Sequence, residues 1–461
     1  MSSSILLDNH FENKVFSNVK QKNMRNTIIV IFLINVFVWF QAPAQTVWSL
    51  QNCLDYAVKN NINVKKTVLD KESAQLNYQQ QKDNRLPSVS GSSSVGLTNG
   101  SSIDPITSDF LNQNIVSSSF GVSASMTLYQ GNKLNLLIDQ NKLILEQTAL
   151  YQQQAENNIT LSVLESYLQA LYYYEGIEVA TYTANSSAQE LQFTLEKYKN
   201  GAVSQLELAD VETQHAQNQY TVVSSQNLYD QQVLNLKQLL ELDPTMEFEI
   251  EKTTLPDVAG IIPDKQQVFM EAQENLPNLK IYDAQNEILN KALAITKAGY
   301  KPTLSLSAGL NSGYTDANDY KFFDQIDNNF NKTVGLSINI PIFSKKQNNT
   351  NVKLARIEIE QNQLDKIDAQ KTLYSSIETA WQNAIASQAQ VESSKIARDN
   401  AKLTYELSVK RFEFGGLTTT ELGVNRNTYL TNEQTHLQSK YMAALYAQLL
   451  NFYQGTQFTI N

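Results

Sequence analysis

Between residues 119 and 129 the chain alternates strictly. Phe120, Val122, Ala124, Met126 and Leu128 fall on one side; Ser119, Gly121, Ser123, Ser125 and Thr127 fall on the other. Period two predicts a strand with one apolar and one polar face, and its length matches the roughly 9–11 residues a tilted strand needs to cross a bilayer. After Tyr129-Gln130-Gly131 the period changes. Leu134, Ile138 and Leu145, then Ala155, Ile159, Val163, Tyr167 and Leu171, recur at helical spacing, and Gly176 alone interrupts a run free of Pro and other Gly up to Asn200. The pattern predicts a single helix over 132–200, roughly 100 Å long at 1.5 Å per residue. A compact domain does not need such a helix. A bilayer-wide strand feeding it is a device for spanning distance.

The rest of the chain repeats this programme. A helix is predicted over 48–85, closed by Leu86-Pro87, and a strand over 88–98, where Val89, Val95 and Leu97 alternate with serines. The turn-rich residues 99–116 join it to 119–129 as a hairpin. The long helix stops at Gly201, a left-handed C-terminal cap in kind, and a return helix covers 205–242. Residues 243–264, with Pro244, Pro256 and Pro263, form a linker or small equatorial element. The second half then predicts a helix over 266–299, a break at Lys301-Pro302, a strand at 303–310, a polar loop at 313–330 and a strand at 333–343. A second long helix follows over 344–414, broken by Gly415-Gly416, then a return helix over 417–453 and a short tail, 457–461. Phe120 and Val334 stand 214 residues apart, and so do Gly201 and Gly415. One shared offset makes two tandem structural repeats, 45–242 and 265–456.

Four strands cannot close on themselves, and an open sheet edge is not viable in lipid. The chain therefore has to oligomerise, as a dimer with eight strands or a trimer with twelve. No other stretch is apolar enough for a transmembrane helix, apart from the N-terminal run 28–40. That run follows Met24-Arg25 and precedes Ala42-Pro43-Ala44, so 24–44 reads as a signal peptide. Residues 1–23 are polar and read as an extension upstream of a start at Met24.

Composition removes whole classes of function. The net charge of −10 argues against nucleic acid or anionic lipid as a main partner. One cysteine, Cys53, excludes an intrachain disulfide and any cysteine-based zinc site, and it reads as buried and structural. Three histidines leave little for metal or acid–base chemistry, and His215 falls on the stripe of Leu208, Val211 and Val222 as a packing residue. No cofactor, metal or catalytic cluster is expected, so the chain is not read as an enzyme. A passive exit duct fits these features. The alternative is a periplasmic coiled-coil scaffold or adaptor without a pore, which would have no reason to carry paired bilayer-length strands.

The order of these features resembles the TolC family of outer-membrane efflux proteins over nearly all of the chain from Trp48. Segment 48–61, with Leu50, Leu54, Ala57 and the paired Asn60-Asn61, resembles the family's first-helix motif. The strand-to-helix junctions Leu128-Tyr129-Gln130-Gly131 and Ile340-Pro341-Ile342-Phe343 match in kind. The hairpin tips match best. Arg411, Gly415 and Leu422 stand at the spacing of the family's tip motif, and Lys197, Gly201 and Leu208 repeat it with Lys for Arg.

The resemblance implies a mixed α and β membrane protein. Each chain would give four strands to a 12-stranded trimeric β-barrel in the outer membrane, continued by a long α-helical coiled-coil tunnel. It implies a homotrimer whose tips meet a periplasmic adaptor (membrane fusion) protein bound to an inner-membrane RND or ABC transporter. It also implies an acidic constriction, at Glu421 and Glu207, six positions after the tip glycines. Three positions depart from the family pattern: Val424 where a second acid can stand, Leu417 where a basic residue can bridge the closed state, and Phe412 where a tyrosine hydroxyl can. From the leader alone, mass spectrometry of the expressed protein is expected to find no peptide from within residues 1–23; such a peptide would refute initiation at Met24.

Overall fold

The computed structural model describes residues 47–103, 110–253, 255, 261–317, 319–456 and 458. The extension 1–23, the signal peptide 24–44 and all of the tail but Phe458 lie outside the described residues. Strand β1 (Val47–Trp48) leads into helices α1 (Leu50–Asn60) and α2 (Ile62–Asp83). Strands β2 (Ser88–Ile103) and β3 (Phe110–Gln130) follow, then α3 (Lys133–Lys199) and α4 (Gln205–Leu239). Strand β4 (Glu249–Ile250) lies within 243–264. The second half runs α5 (Lys265–Asn275), α6 (Pro277–Ala298), β5 (Thr303–Thr315), α7 (Phe322–Asn328), β6 (Asn331–Asn339), α8 (Gln347–Glu413) and α9 (Thr419–Gln454).

Each helix that opens a half is broken once, contrary to the single spans expected at 48–85 and 266–299. Asn61 adopts ψ 135°, accepts the Asn63 N–H on its side chain and donates its own amide to the Leu239 carbonyl. It thus starts α2 and ties it to α4 at once. At the corresponding break Leu276 has ψ 143° and precedes Pro277. Proline disfavours the helical region for its predecessor and is itself favoured at the first helical position.

Three other expectations needed correction. Residues 99–116 are largely strand: the β2–β3 ladder runs on to the pair Ile103 and Phe110. Serine and asparagine there still carry ladder N–H and C=O groups, which matter more than side-chain propensity once a partner strand is in place. The polar loop 313–330 carries α7, and the strand expected over 333–343 ends at Asn339. Pro341 has no N–H to give to the ladder, and Lys345 and Lys346 turn the chain at φ 51° and 65°.

The helices form one long body around α3, which at 67 residues spans about 100 Å. Near the sheet α3 packs on α2 and α6, and α6 packs on α8; further along, α3 packs on α4 and α9, and α9 on α8. Polar side chains stitch the first of these contacts. Gln147 donates to the Ile281 carbonyl at 3.2 Å, and Asn362 to that of Tyr282 at 3.1 Å. Apolar packing concentrates in an equatorial layer. There β1 pairs in parallel with β4, Trp48 meets Tyr56 and Phe248, and the Tyr167 hydroxyl donates to the carbonyls of Trp48 and Glu251. Cys53 is fully buried in this layer, and burial pushes its thiol up to about 12. A second cluster joins Val268, Ala272, Ile377 and Leu450, with the Trp381 indole donating to Pro263 at 3.0 Å.

Strands β2, β3, β5 and β6 form one open antiparallel sheet in that order. Its register separates two faces. Val89 and Ala124, Val122 and Leu310, Met126 and Leu306, and Leu306 and Leu336 are cross-strand partners on the apolar face. The other face is mostly Ser, Thr, Gly and Asn, with Ile115 opposite Thr98 and Gln130 opposite Thr303. There the hydroxyls of Ser88, Ser90 and Ser94 meet those of Ser125, Ser123 and Ser119 at 2.9, 3.0 and 2.8 Å. A bulge after Thr127 brings Tyr129 opposite Leu304, on the apolar face. That face is bare: Val334 is 80 % and Val95 74 % exposed. Contiguous exposed apolar surface on this scale marks contact with lipid or protein. No helix among the described residues is long and apolar enough to cross a membrane.

The junction from sheet to α3 depends on Gly131. Its φ is +60°, and a Cβ there would lie 2.7 Å from the Lys301 Cβ and 3.0 Å from the Ala298 carbonyl. The left-handed region alone costs a non-glycine residue about 1–2 kcal/mol. Gly176, mid-helix, has open space around it, and Gly→Ala inside a helix gains about 0.5–1 kcal/mol. Gly131→Ala is therefore expected to lower, and Gly176→Ala to raise, the thermal unfolding temperature followed by circular dichroism.

Candidate functional site at the hairpin tips

The two helical hairpins, α3–α4 and α8–α9, turn through the same chemistry. At the first, Gly201 has φ +70°, its N–H bonds the Tyr198 carbonyl and that of Ala202 the Lys197 carbonyl. At the second, Gly415 has φ +75°, and Gly415 and Gly416 bond Phe412 and Arg411 in the same way. This paired cap satisfies carbonyls that the helix end leaves free. Three residues beyond each glycine a capping box starts the return helix. Ser204 accepts the Glu207 N–H while Glu207 accepts the Ser204 N–H at 2.8 Å; Thr418 and Glu421 do the same, at 3.0 Å for the Thr418 N–H.

Glu207 and Glu421 are thus the third residues of capping boxes, a role the spacing Ser/Thr-x-x-Glu encodes. Hydrogen bonds from the Thr418 backbone and hydroxyl hold the Glu421 carboxyl below its usual range. A carboxylate lowered in this way contributes fully above the ordinary carboxylate range, and its contribution is lost as pH falls through the lowered value.

The equivalent basic residues do different work. Lys197 crosses to the other hairpin, where its ammonium donates to the Phe412 carbonyl at 2.9 Å and sits 4.4 and 4.7 Å from the ring centres of Phe193 and Phe412. Arg411 stays on its own loop and donates to the Gly416 carbonyl at 3.2 Å. Lys197, Glu207, Gly415 and Glu421 come together around one hollow of about 550 Å³ between the tips, with Leu417 on its wall. Gly201, Leu208, Arg411 and Leu422 do not line it. Leu422 is 2 % exposed, packed with Phe412, Tyr405 and Tyr429; it props the tip from inside and presents no surface. Leu208 is half-buried, and Val424 is exposed.

Behind the tips lies a group that sequence reasoning missed. Glu190 of α3 and Arg426 of α9 form a buried ion pair, both under 7 % exposed. The Tyr405 hydroxyl of α8 donates to Glu190 at 3.0 Å and lies 2.7 Å from the Ser186 hydroxyl. Burial pushes the Glu190 carboxyl above its ordinary value, while Arg426 and Tyr405 pull it back. Beside the pair is a cavity of about 370 Å³ lined by Val211, Phe412, Leu422 and Arg426. A second buried linkage, Glu175 with Lys440 at 3.2 Å and Tyr441 at 2.7 Å, joins the same two helices nearer the equator. The signal was present. Arg426 falls on the stripe Leu422, Arg426, Tyr429, and Glu190 on Thr183, Ser187, Glu190, Thr194, each at helical spacing. A charge on a buried stripe needs a partner, and here each supplies the other's.

Residues 53–241 and 268–455 match the profile of the family described as Outer membrane efflux protein. Among solved structures the chain is similar to the Campylobacter jejuni CmeC outer membrane channel, with 17 % identity and a TM-score of 0.73 over 88 % of this chain and 86 % of that one. It is similar as well to the outer membrane protein VceC from Vibrio cholerae, with 15 % identity and a TM-score of 0.71 over 89 % and 97 %. At such identities the likeness speaks to the fold. No curated protein matches the sequence.

The buried pair yields a specific expectation. Removing one partner leaves an uncompensated buried charge and costs about 3–5 kcal/mol, whereas replacing both by apolar side chains is often neutral. Arg426→Met should lower the urea unfolding midpoint clearly. Glu190→Leu combined with Arg426→Met should recover most of the loss.

Proposed function

Because the chain belongs to the outer membrane efflux protein family, we propose that it is the exit duct of a tripartite efflux or type I secretion assembly. Three copies would close their four-stranded sheets into a twelve-stranded barrel, and their helices would continue it as a periplasmic tunnel. The observation that carries this reading is the open, two-faced sheet joined through short turns to helices of about 100 Å. Its bare apolar face suits lipid, its serine face suits water, and its two free edges call for further strands. Both halves run a helix pair, two strands, a long helix and a return helix, with α7 added in the second, and the family match splits at 53–241 and 268–455; both observations support a tandem duplication. A pore-free scaffold leaves the apolar face of the sheet without a purpose.

In this reading the tips form the periplasmic rim. Gly201 and Gly415 shape it, Lys197 and Arg411 brace it, Leu208 and Leu422 support it, and an adaptor protein docks on it. An RND or ABC transporter in the inner membrane would supply the energy. Glu421 and Glu207 would form the constriction. Their capping boxes hold each carboxylate at a set place, and three copies of each would repel anions and favour cations. Leu417, Phe412 and Val424 leave the Lys197 bridge as the polar contact that joins the tips at this level.

Purified protein should form stepwise conducting pores in planar lipid bilayers, and Glu421→Gln should weaken their preference for cations. Absence of any pore would sink the duct reading, and unchanged selectivity would remove Glu421 from the constriction.

A further inference from the structure

The β5–β6 connection does not turn toward the serine face. Helix α7 folds against the apolar face at the end of β5 and β6 farthest from the helices, while the β2–β3 ladder runs on past it to Ile103 and Phe110. Phe322 packs edge-on against Phe120, with ring centres 6.3 Å apart, and lies 5.3 Å from Tyr314. Phe120 and Ser312 are cross-strand partners on the apolar face, and the Ser312 hydroxyl donates to the Ile326 carbonyl at 2.6 Å. The attachment is built. Gln325 is buried; its amide donates to the carbonyls of Thr315 and Tyr320 and accepts the Thr315 N–H, all within 2.9 Å. Asn329 adds a bond to the Gly313 carbonyl at 2.8 Å. So fixed, α7 turns Phe323 outward, 80 % exposed, with Asp327 one helical turn along on the same side.

Height along the sheet identifies what Phe323 meets. On β5, Leu304 opposite Tyr129 marks the near end of the apolar face and Tyr314, beside Phe322, the far end; Ile103 and Phe110 continue that face on β2 and β3, and Lys332 stands on it opposite Leu310. Ten residues of strand at about 3.3 Å each, tilted by about 40°, rise roughly 25 Å, the height of the apolar band of a membrane barrel, which aromatic residues flank at both interfaces. We propose that α7 is a membrane-surface anchor, seating Phe322 and Phe323 at the boundary between acyl chains and headgroups of the outer leaflet, continuous with the apolar face of the sheet. The inference rests on the barrel reading above and adds a second contact with the bilayer, made by a loop. It assigns the β5–β6 connection to the outside of the barrel wall and leaves the mouth uncovered on this side.

Cys53 is fully buried, so an introduced cysteine can be spin-labelled alone. Phe323→Cys, Val334→Cys on the apolar face and Ser307→Cys on the serine face would be labelled in full-length protein reconstituted into phospholipid vesicles. Relaxation by oxygen, which concentrates in lipid, is compared with relaxation by a water-soluble nickel chelate. The expected result is oxygen dominance at 323 and 334 and nickel dominance at 307. Nickel dominance at 323 with oxygen dominance at 334 overturns the anchor and leaves the barrel standing. Nickel dominance at all three sites overturns the barrel and the anchor with it. Shielding of 323 from both reagents means that another copy of the chain covers α7, which also overturns the anchor.

Discussion

The free N–H and C=O groups along β2 and β6 are the constraint from which the rest follows. Both strands end the sheet, and no described residue pairs with their outer edges. In water such edges are solvated; in hydrocarbon they are not, and each unpaired group costs several kcal/mol. The bare apolar face beside them puts the sheet in contact with something other than water. In the barrel proposed above, this sheet is one stave. The equatorial layer has the matching role along the helices. Trp48, Cys53, Tyr167 and Ile250 form an apolar clamp at mid-length, where α3 exchanges α2 and α6 for α4 and α9.

Much of this was legible in the sequence because the relevant signals are periodic. Alternation at 119–129 and 303–310 marked strands, and long runs without Gly or Pro marked α3 and α8. What escaped was decided by single residues with unusual backbone or by partners distant in the chain. Asn61 breaks a helix with a side chain that reaches Leu239, which no local pattern announces. The serines and asparagines of 99–103 and 110–116 look like turn residues, and the β2–β3 ladder makes them strand. Gln325 carries three hydrogen bonds that no spacing rule contains. At the tips the glycine motif is legible in the sequence, and so are the capping boxes Ser204-x-x-Glu207 and Thr418-x-x-Glu421, which give the two acids a structural role of their own.

The tips also show how one motif diverges in use. Lys197 and Arg411 hold equivalent places, but only Lys197 reaches the other hairpin. An ammonium on a flexible stem can cross to a carbonyl between two rings, while the guanidinium of Arg411 folds back on its own loop. Glu190, Tyr405 and Arg426 then join three different helices behind the tips. Buried charge is weak as a source of stability and strong as a determinant of register. Sliding α9 against α3 by one turn would separate that pair and the Glu175–Lys440 pair together.

The serine face of the sheet carries a consequence of its own. A hydroxyl can rotate between donor and acceptor, so a wall of hydroxyls has no fixed sign. It can solvate a cation with its oxygens and an anion with its protons. No ladder position on that face with a described side chain carries a formal charge, so a passing solute would find no electrostatic well in which to stop. Electrically such a wall behaves as an extension of the water beside it, and in the duct proposed above discrimination by charge would fall to the tips, about 100 Å away along α3.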